Sequence, residues 1–367
     1  MRCCKGKFNR FKFGNIAIGF GNLRKTNDTG RGLRVRFNGV GSLFGQLAGS
    51  LRDFSADFVG SGSFSADLSN IKQLDASIAG QGTLTGDLAD FVGLLDDYSG
   101  AAAAYSVRLL SSTYSGALVR IRKDTGGQPE KDFYPDENGE LSLDSEDGGN
   151  TRLGNWIGSN DGYVVTWYSQ AGVSGRDATQ SLAANQAQIV NGGSLISVNS
   201  KPALLANNSY YNISVPNYSI FSKLDVYKYA NLPTSNETVY GLNDGGNNNR
   251  FEFRQDGADL EFFIRENGGS FVQPSIKTQD TNQNLATTYY DEGTINAYIN
   301  SVLELNNYST GLSDPLFNQL TLLATDANGI FFNLDGYIQE SIFWGVDYSA
   351  DNTDIESNVN DFFNIYS

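Results

Sequence analysis

The chain contains no histidine, two cysteines and seven prolines in 367 residues. Without imidazole there is no Ser-His-Asp triad, no Cys-His dyad, no His-ligated zinc and no histidine proton shuttle. Catalysis would have to use carboxylates, Tyr, Lys or a bound metal. The two cysteines, Cys3 and Cys4, are adjacent, a spacing at which bridging is strained, so no disulfide framework is expected. Charged residues make up only 18% of the chain. No run approaches the about 20 apolar residues that span a bilayer. Ile16-Ala17-Ile18-Gly19-Phe20 is too short and too glycine-rich for a signal core. The abundant Asn, Ser, Thr, Gly and Tyr suit an extracellular or virion β protein with an uncharged polar surface.

Charge is divided sharply. Residues 1–52 hold 11 Lys+Arg and one acid, Asp28, whereas the other 315 residues hold 15 Lys+Arg against 40 Asp+Glu. A basic arm on an acidic body implies different partners at the two ends. Within residues 1–38, Lys5, Lys7, Arg10 and Lys12 alternate with Phe8, Phe11 and Phe13, and Arg31, Arg34 and Arg36 follow. This pattern reads as an anchor on an acidic surface. Nucleic acid and a solvated basic tail are the competing readings.

Residues 39–98 repeat. Gly39-Val40-Gly41-Ser42-Leu43 recurs as Gly60-Ser61-Gly62-Ser63-Phe64 and as Gly80-Gln81-Gly82-Thr83-Leu84, with starts 21 and 20 residues apart. Phe54-Ser55-Ala56-Asp57-Phe58 matches Leu74-Asp75-Ala76-Ser77-Ile78 at the same interval. Apolar or small residues fall on every second position, the period of a strand with one buried face. Two short strands per repeat bury too little to stand alone. The expectation is a β-stalk stabilised by copies of itself, a homotrimer in which three chains close each other's edges. A monomeric β-solenoid is the alternative, and the alternation argues against a flexible linker.

Residues 99–367 form the third zone. Ala101-Ala102-Ala103-Ala104-Tyr105-Ser106-Val107-Arg108-Leu109-Leu110 opens it with helix-forming residues and apolar spacing and reads as a short helix. Short β-rich runs follow at 117–122, 163–168, 251–254, 260–265, 294–299, 319–323, 330–334 and 338–344, punctuated by Gly, Asn and Asp. They predict an antiparallel sandwich with hairpin loops at 245–249 and 267–269. Ile355, Val359, Phe362 and Phe363 then mark a closing amphipathic helix. The whole is expected to be all-β, a repetitive β-stalk followed by a concanavalin A-like jelly-roll sandwich with short helices.

Two blocks carry a resemblance. Tyr105-Ser106-Val107-Arg108-Leu109-Leu110, Val119-Arg120-Ile121-Arg122 and Tyr163-Val164-Val165-Thr166-Trp167-Tyr168-Ser169-Gln170 resemble the opening of the catalytic domain of arabinofuranosidase B-type glycosidases, a block also similar to one in many phage structural proteins. Leu334-Asp335-Gly336-Tyr337-Ile338-Gln339-Glu340 is similar to the last strand of laminin G-type sandwiches. The resemblance implies a nucleophile at Glu252, after a Gly/Asn-rich loop, and an acid at Asp326. A retaining enzyme holds such carboxylates about 5–5.5 Å apart. The chain departs from the pattern at two places: Leu242-Asn243-Asp244 stands where the family carries adjacent cysteines, and Tyr168-Ser169-Gln170 has lost a carboxylate.

Sugar binding without cleavage survives those losses. Tyr210, Tyr211, Tyr289 and Tyr290 are candidate stacking rings, with Asn243 and Asp244 as hydroxyl partners. The Asp/Asn-rich loops 144–150 and 243–249 offer oxygen ligands of the type Ca²⁺ takes, but without EF-hand spacing, so turn chemistry is the default and no cofactor is expected. Together these features lead to the expectation of a virion-surface structural protein, a fibre or spike. Residues 1–38 would contact a capsid or other virion protein, 39–98 would form the stalk, and 99–367 would display a lectin-like head to a host glycan. A retaining glycosidase using Glu252 and Asp326 is the alternative.

Overall fold

In a computed structural model, the structure describes residues 91–232, 235–245, 248–278, 280–312, 317–325 and 332–367, together with the backbone of eight strands between residues 15 and 87. The chain divides into two units, Met1–Val92 and Gly93–Ser367. Among the described residues no helix is long and apolar enough to cross a membrane.

The eight strands of the first unit form two four-stranded sheets. Asn15–Ile18, Gly41–Gln46, Gly62–Asp67 and Gly82–Asp87 make one, and Asn22–Thr26, Gly32–Asn38, Asp53–Val59 and Gln73–Ala79 make the other. The first pair in each sheet is antiparallel. Every later pair is parallel and in register: Gly41 faces Gly62, Gly62 faces Gly82, and Phe54 faces Leu74. The 20-residue repeat is therefore the interval at which the chain returns to the same sheet, the backbone pattern of a two-sheeted solenoid. The neighbours that each repeat requires are its own successive copies within one chain. Of the candidate anchoring residues, Arg34 and Arg36 fall on strand Gly32–Asn38, while Lys5, Lys7, Arg10, Lys12 and Arg31 lie outside the described residues.

The second unit is an antiparallel sandwich. Its larger sheet runs Glu130–Phe133, Val119–Lys123, Gly162–Trp167, Gln188–Asn191, Leu204–Ala206, Gly336–Trp344, Ile220–Tyr229, Asn284–Asp291, Thr294–Ile299, Val302–Ser309. The smaller runs Tyr211–Ser214, Gln319–Leu322, Glu237–Asn243, Arg250–Asp256, Asp259–Arg265, Phe271–Val272. The two sheets meet through aromatic rings. Phe221 of the larger sheet meets Phe251 of the smaller edge to face at 5.3 Å, and stacks on Tyr290 at 5.0 Å. Phe251 continues to Phe262 at 5.1 Å. Such contacts contribute roughly 0.5–1.5 kcal/mol each beyond the area they bury.

The C-terminal helix spans Asn352–Phe363, with Ile355, Val359 and Phe363 buried. Asn352 accepts hydrogen bonds from Tyr289 and Thr287 of strand Asn284–Asp291, and the Glu356 carboxylate from Thr287 and Ser301. Asn364, in the left-handed region at φ 52°, ends the helix.

The alanine run is not a helix: Ala101–Ser106 is a strand with all six residues buried, paired with Gly336–Trp344. Alanine's helix preference is worth only tenths of a kcal/mol per residue. A sheet partner together with burial on both faces outweighs it, since small side chains fit between closely packed layers.

Candidate functional site

Strand Arg250–Asp256 turns Phe251 and Phe253 into the core, so Arg250, Glu252 and Arg254 share the opposite face of the smaller sheet. Glu252 is nonetheless 0% exposed. Arg250 holds its Oε1, and Arg254 donates Nη1 to Oε2 at 3.1 Å. Arg254 also binds Glu261 at 2.9 Å, and Glu261 accepts from Gln273. Both guanidiniums lie over the Phe263 ring, with centroid distances of 5.1 and 4.4 Å. Burial pushes the Glu252 carboxyl above its ordinary range, while the two arginines pull it back. The result is a network in which two arginines meet Glu252, Glu261 and Asp256, with both Glu252 oxygens engaged.

The Gly/Asn-rich loops predicted as hairpin connections meet each other. Asn249 accepts from the Asn267 N–H at 2.9 Å, and Asn248 from that of Gly268 at 2.8 Å. Asp326 lies outside the described residues. Its neighbour Thr325 is placed closely: a Cβ on Gly241 would stand 2.2 Å from the Thr325 carbonyl oxygen, and Gly241 is the register partner of Glu252.

The candidate sugar-binding residues are dispersed. Tyr211 is fully buried, donating to the Val164 carbonyl at 2.8 Å. Tyr290 is buried against Phe221, and Tyr289 is buried with its hydroxyl on Asn352. Tyr210 is half-buried, and its carbonyl accepts from Gln180. Asn243 is buried, accepting from the Gly245 N–H, and Asp244 accepts from Asn249. Tyr289 and Tyr290 are adjacent on one strand and so point to opposite faces, and that pair cannot offer two rings to one ligand. In the loop 144–150, the Asp147 carboxylate is taken by Lys131 and by the Gly149 and Thr151 N–H groups. Among the described residues no three Asp, Glu, Cys or His side chains converge as a metal-ligand set.

A polar cleft of about 430 Å³ opens on the larger sheet, lined by Arg122, Asp124, Tyr163, Gln186, Gln188 and Asn207 among others. Arg122 is its best-held member. Its Nε donates to Gln186 at 2.7 Å and its Nη1 to Asp124 at 3.1 Å, and its guanidinium lies 4.8 Å from the Tyr163 ring centroid. Gln186 is fixed in turn by donating to the Gln180 carbonyl at 2.8 Å. An aromatic face, amides, a carboxylate and a guanidinium are the groups that bind sugar hydroxyls and C–H surfaces. Arg122 and Tyr163 stand in the blocks that carry the resemblance, but none of the cleft residues was marked as a site residue from sequence. The available signal was the placing of Arg122 and Tyr163 among buried apolar neighbours within their strands.

No protein-family model matches the chain, and no curated protein matches its sequence. Solved structures match in fold. A GH54 α-L-arabinofuranosidase soaked with a cyclic sulfate inhibitor gives a TM-score of 0.52 at 13% identity over 71% of this chain. An arabinofuranosidase complexed with arabinofuranosyl-alpha-1,2-xylobiose gives 0.52 at 12% over the same share. The chain spans 62% of the length of each. The Ruminococcus gnavus IT-sialidase CBM40 bound to alpha2,3 sialyllactose gives 0.31 at 13%, covering 38% of this chain and 93% of that domain. The likeness is one of fold: the described sandwich shares its architecture with arabinofuranosidases.

Proposed function

We propose that residues 93–367 form a glycan-binding domain that does not cleave its ligand. The observation that carries this reading is the closure of Glu252. On a sandwich of arabinofuranosidase fold, the residue that the resemblance puts at the nucleophile position has no accessible surface and both oxygens on arginines. A nucleophile needs an oxygen free to reach the sugar carbon. The polar cleft beside Tyr163, by contrast, is open. The test is binding of the full chain to an array of neutral and acidic glycans, repeated with Glu252→Gln. Retained binding by the variant supports the reading, and an array with no binder refutes it.

Residues 1–92 are proposed to carry this domain on a virion surface as a homotrimer, with 1–38 meeting a particle protein. Support for the particle contact comes from the +10 charge of residues 1–52 against the acidic remainder; the strand ladders of the repeat close within one chain, so a trimer would join whole solenoids. Native mass spectrometry of the full chain tests the trimer, and a monomer would refute it. Loss of 1–38 should abolish incorporation into particles.

A retaining glycosidase is the second reading, favoured by one observation. The segment leading to Asp326 starts against Gly241, beside Glu252. Hydrolysis of an aryl arabinofuranoside, abolished by Glu252→Gln, would establish it.

A further inference from the structure

Residues directly opposite on neighbouring antiparallel strands put their side chains on one face, about 5 Å apart. The register of the larger sheet lines up such residues over seven strands. Glu130 faces Arg122, Arg122 faces Tyr163, and Tyr163 faces Gln188. Gln188 faces Leu205, Leu205 faces Tyr337, and Tyr337 faces Lys228. Six of these seven are partly or fully exposed. Arg122, 5% exposed, is the one held down, by Gln186 and Asp124. Their strand neighbours Ile121, Val164, Ile189, Leu204, Ile338 and Tyr229 are fully buried, so the row is the outward face of the sheet.

We infer that this row is a binding strip for a linear, uncharged polysaccharide lying across the strands, an inference that rests on the glycan-binding reading and gives it a site and a ligand class. The cleft occupies the part of the row from Arg122 to Leu205. Tyr163, backed by the Arg122 guanidinium, supplies one ring. Tyr337 supplies a second, three strands away, which at ~4.8 Å per strand is about 14 Å. Two rings at that separation, with Gln188 between them, fit successive units of a chain and exceed the reach of one sugar. Charge decides between neutral and acidic ligands. Arg122 is paired with Asp124 and flanked by Glu130, and Lys228 closes the far end, leaving two cations and two anions. Such a strip offers hydrogen bonds without a net field for an ionic polymer.

Affinity electrophoresis of the full chain through gels containing arabinoxylan, glucomannan or mixed-linkage glucan, with polygalacturonate and polysialic acid as acidic comparators, tests the inference. At least one neutral polymer should retard the chain. Tyr163→Ala and Tyr337→Ala should each weaken that binding about tenfold, the loss expected for one ring contact, while Tyr163→Phe retains it. Oligosaccharides should gain affinity with length until both rings are spanned. Both rings are on the outer face, and thermal melts of the variants confirm their folding. If the chain binds a glycan and both alanine variants bind it equally well, the strip is wrong and the glycan-binding reading stands. If only acidic polymers bind, the ligand class is wrong. If nothing binds, both fail.

Discussion

Lys223 and Asp225 lie two residues apart on one face of strand Ile220–Tyr229, enclosed between the two sheets, with side chains 0% and 2% exposed. Lys223 also donates to Ser341 at 2.8 Å and sits 4.6 Å from the Tyr240 ring centroid, and Ser341 donates to Asp225 at 2.8 Å. Burial pushes Asp225 up to about 6 and draws Lys223 down, and each is opposed by the charge of the other. Asp225→Ala leaves a buried ammonium without its partner and should cost about 3–5 kcal/mol of stability. Lys223→Met with Asp225→Leu should recover most of that loss. Urea unfolding of the wild type, Asp225→Ala and the double variant measures both effects, and a double variant no more stable than Asp225→Ala would contradict the coupling.

Glu237 gives a pH signature. Burial raises its carboxyl to about 7, with the Asp335 charge adding to the rise and the Asp335 N–H opposing it. An unfolded Glu titrates near about 4.3. The folded state therefore holds the proton more tightly, and this group's contribution is fully present below pH about 4.3 and is lost as pH rises to about 7. Glu237→Gln should melt with the wild type at pH 4 and above it at pH 8, by a few degrees at most because the group is half-exposed. Thermal melts across that range check the sign.

Gly241→Ala should destabilise the domain. Its added methyl would meet the Thr325 and Ala324 carbonyls at 2.2 and 3.3 Å, and backbone cannot yield as a side chain tip can. Overpacking of this kind costs about 1–3 kcal/mol. Denaturant midpoints of the variant measure it, and no change would show that this segment moves aside freely.

The solenoid register predicts which deletions are tolerated. Removing residues 53–72 excises one repeat and lets Gln73–Ala79 take the place of Asp53–Val59 beside Gly32–Asn38. Removing only 53–62 puts the remaining repeats out of phase. Far-UV circular dichroism should show unchanged strand content per residue in the first case and a loss in the second.

The repeat was legible because its alternation and 20-residue interval are local, and the in-register ladders follow that interval residue for residue. The terminal helix was legible for the same reason: Ile355, Val359 and Phe363 mark one face over a short stretch. Strand Ile220–Tyr229, at the centre of the larger sheet, was hidden because Lys223 and Asp225 interrupt its apolar pattern while being buried as a pair. The alanine strand was misread because propensity is weaker than its sheet partner. The row from Glu130 to Lys228 was not legible at all. Its members come from seven segments, and only strand register brings them onto one line.

The most direct test follows a neutral glycan to which the full chain binds. Incubated with the protein and analysed for released sugar, that ligand should be recovered intact. Release of arabinose or any other sugar, lost on Glu252→Gln, would contradict the account of a binding domain with its carboxylate closed off.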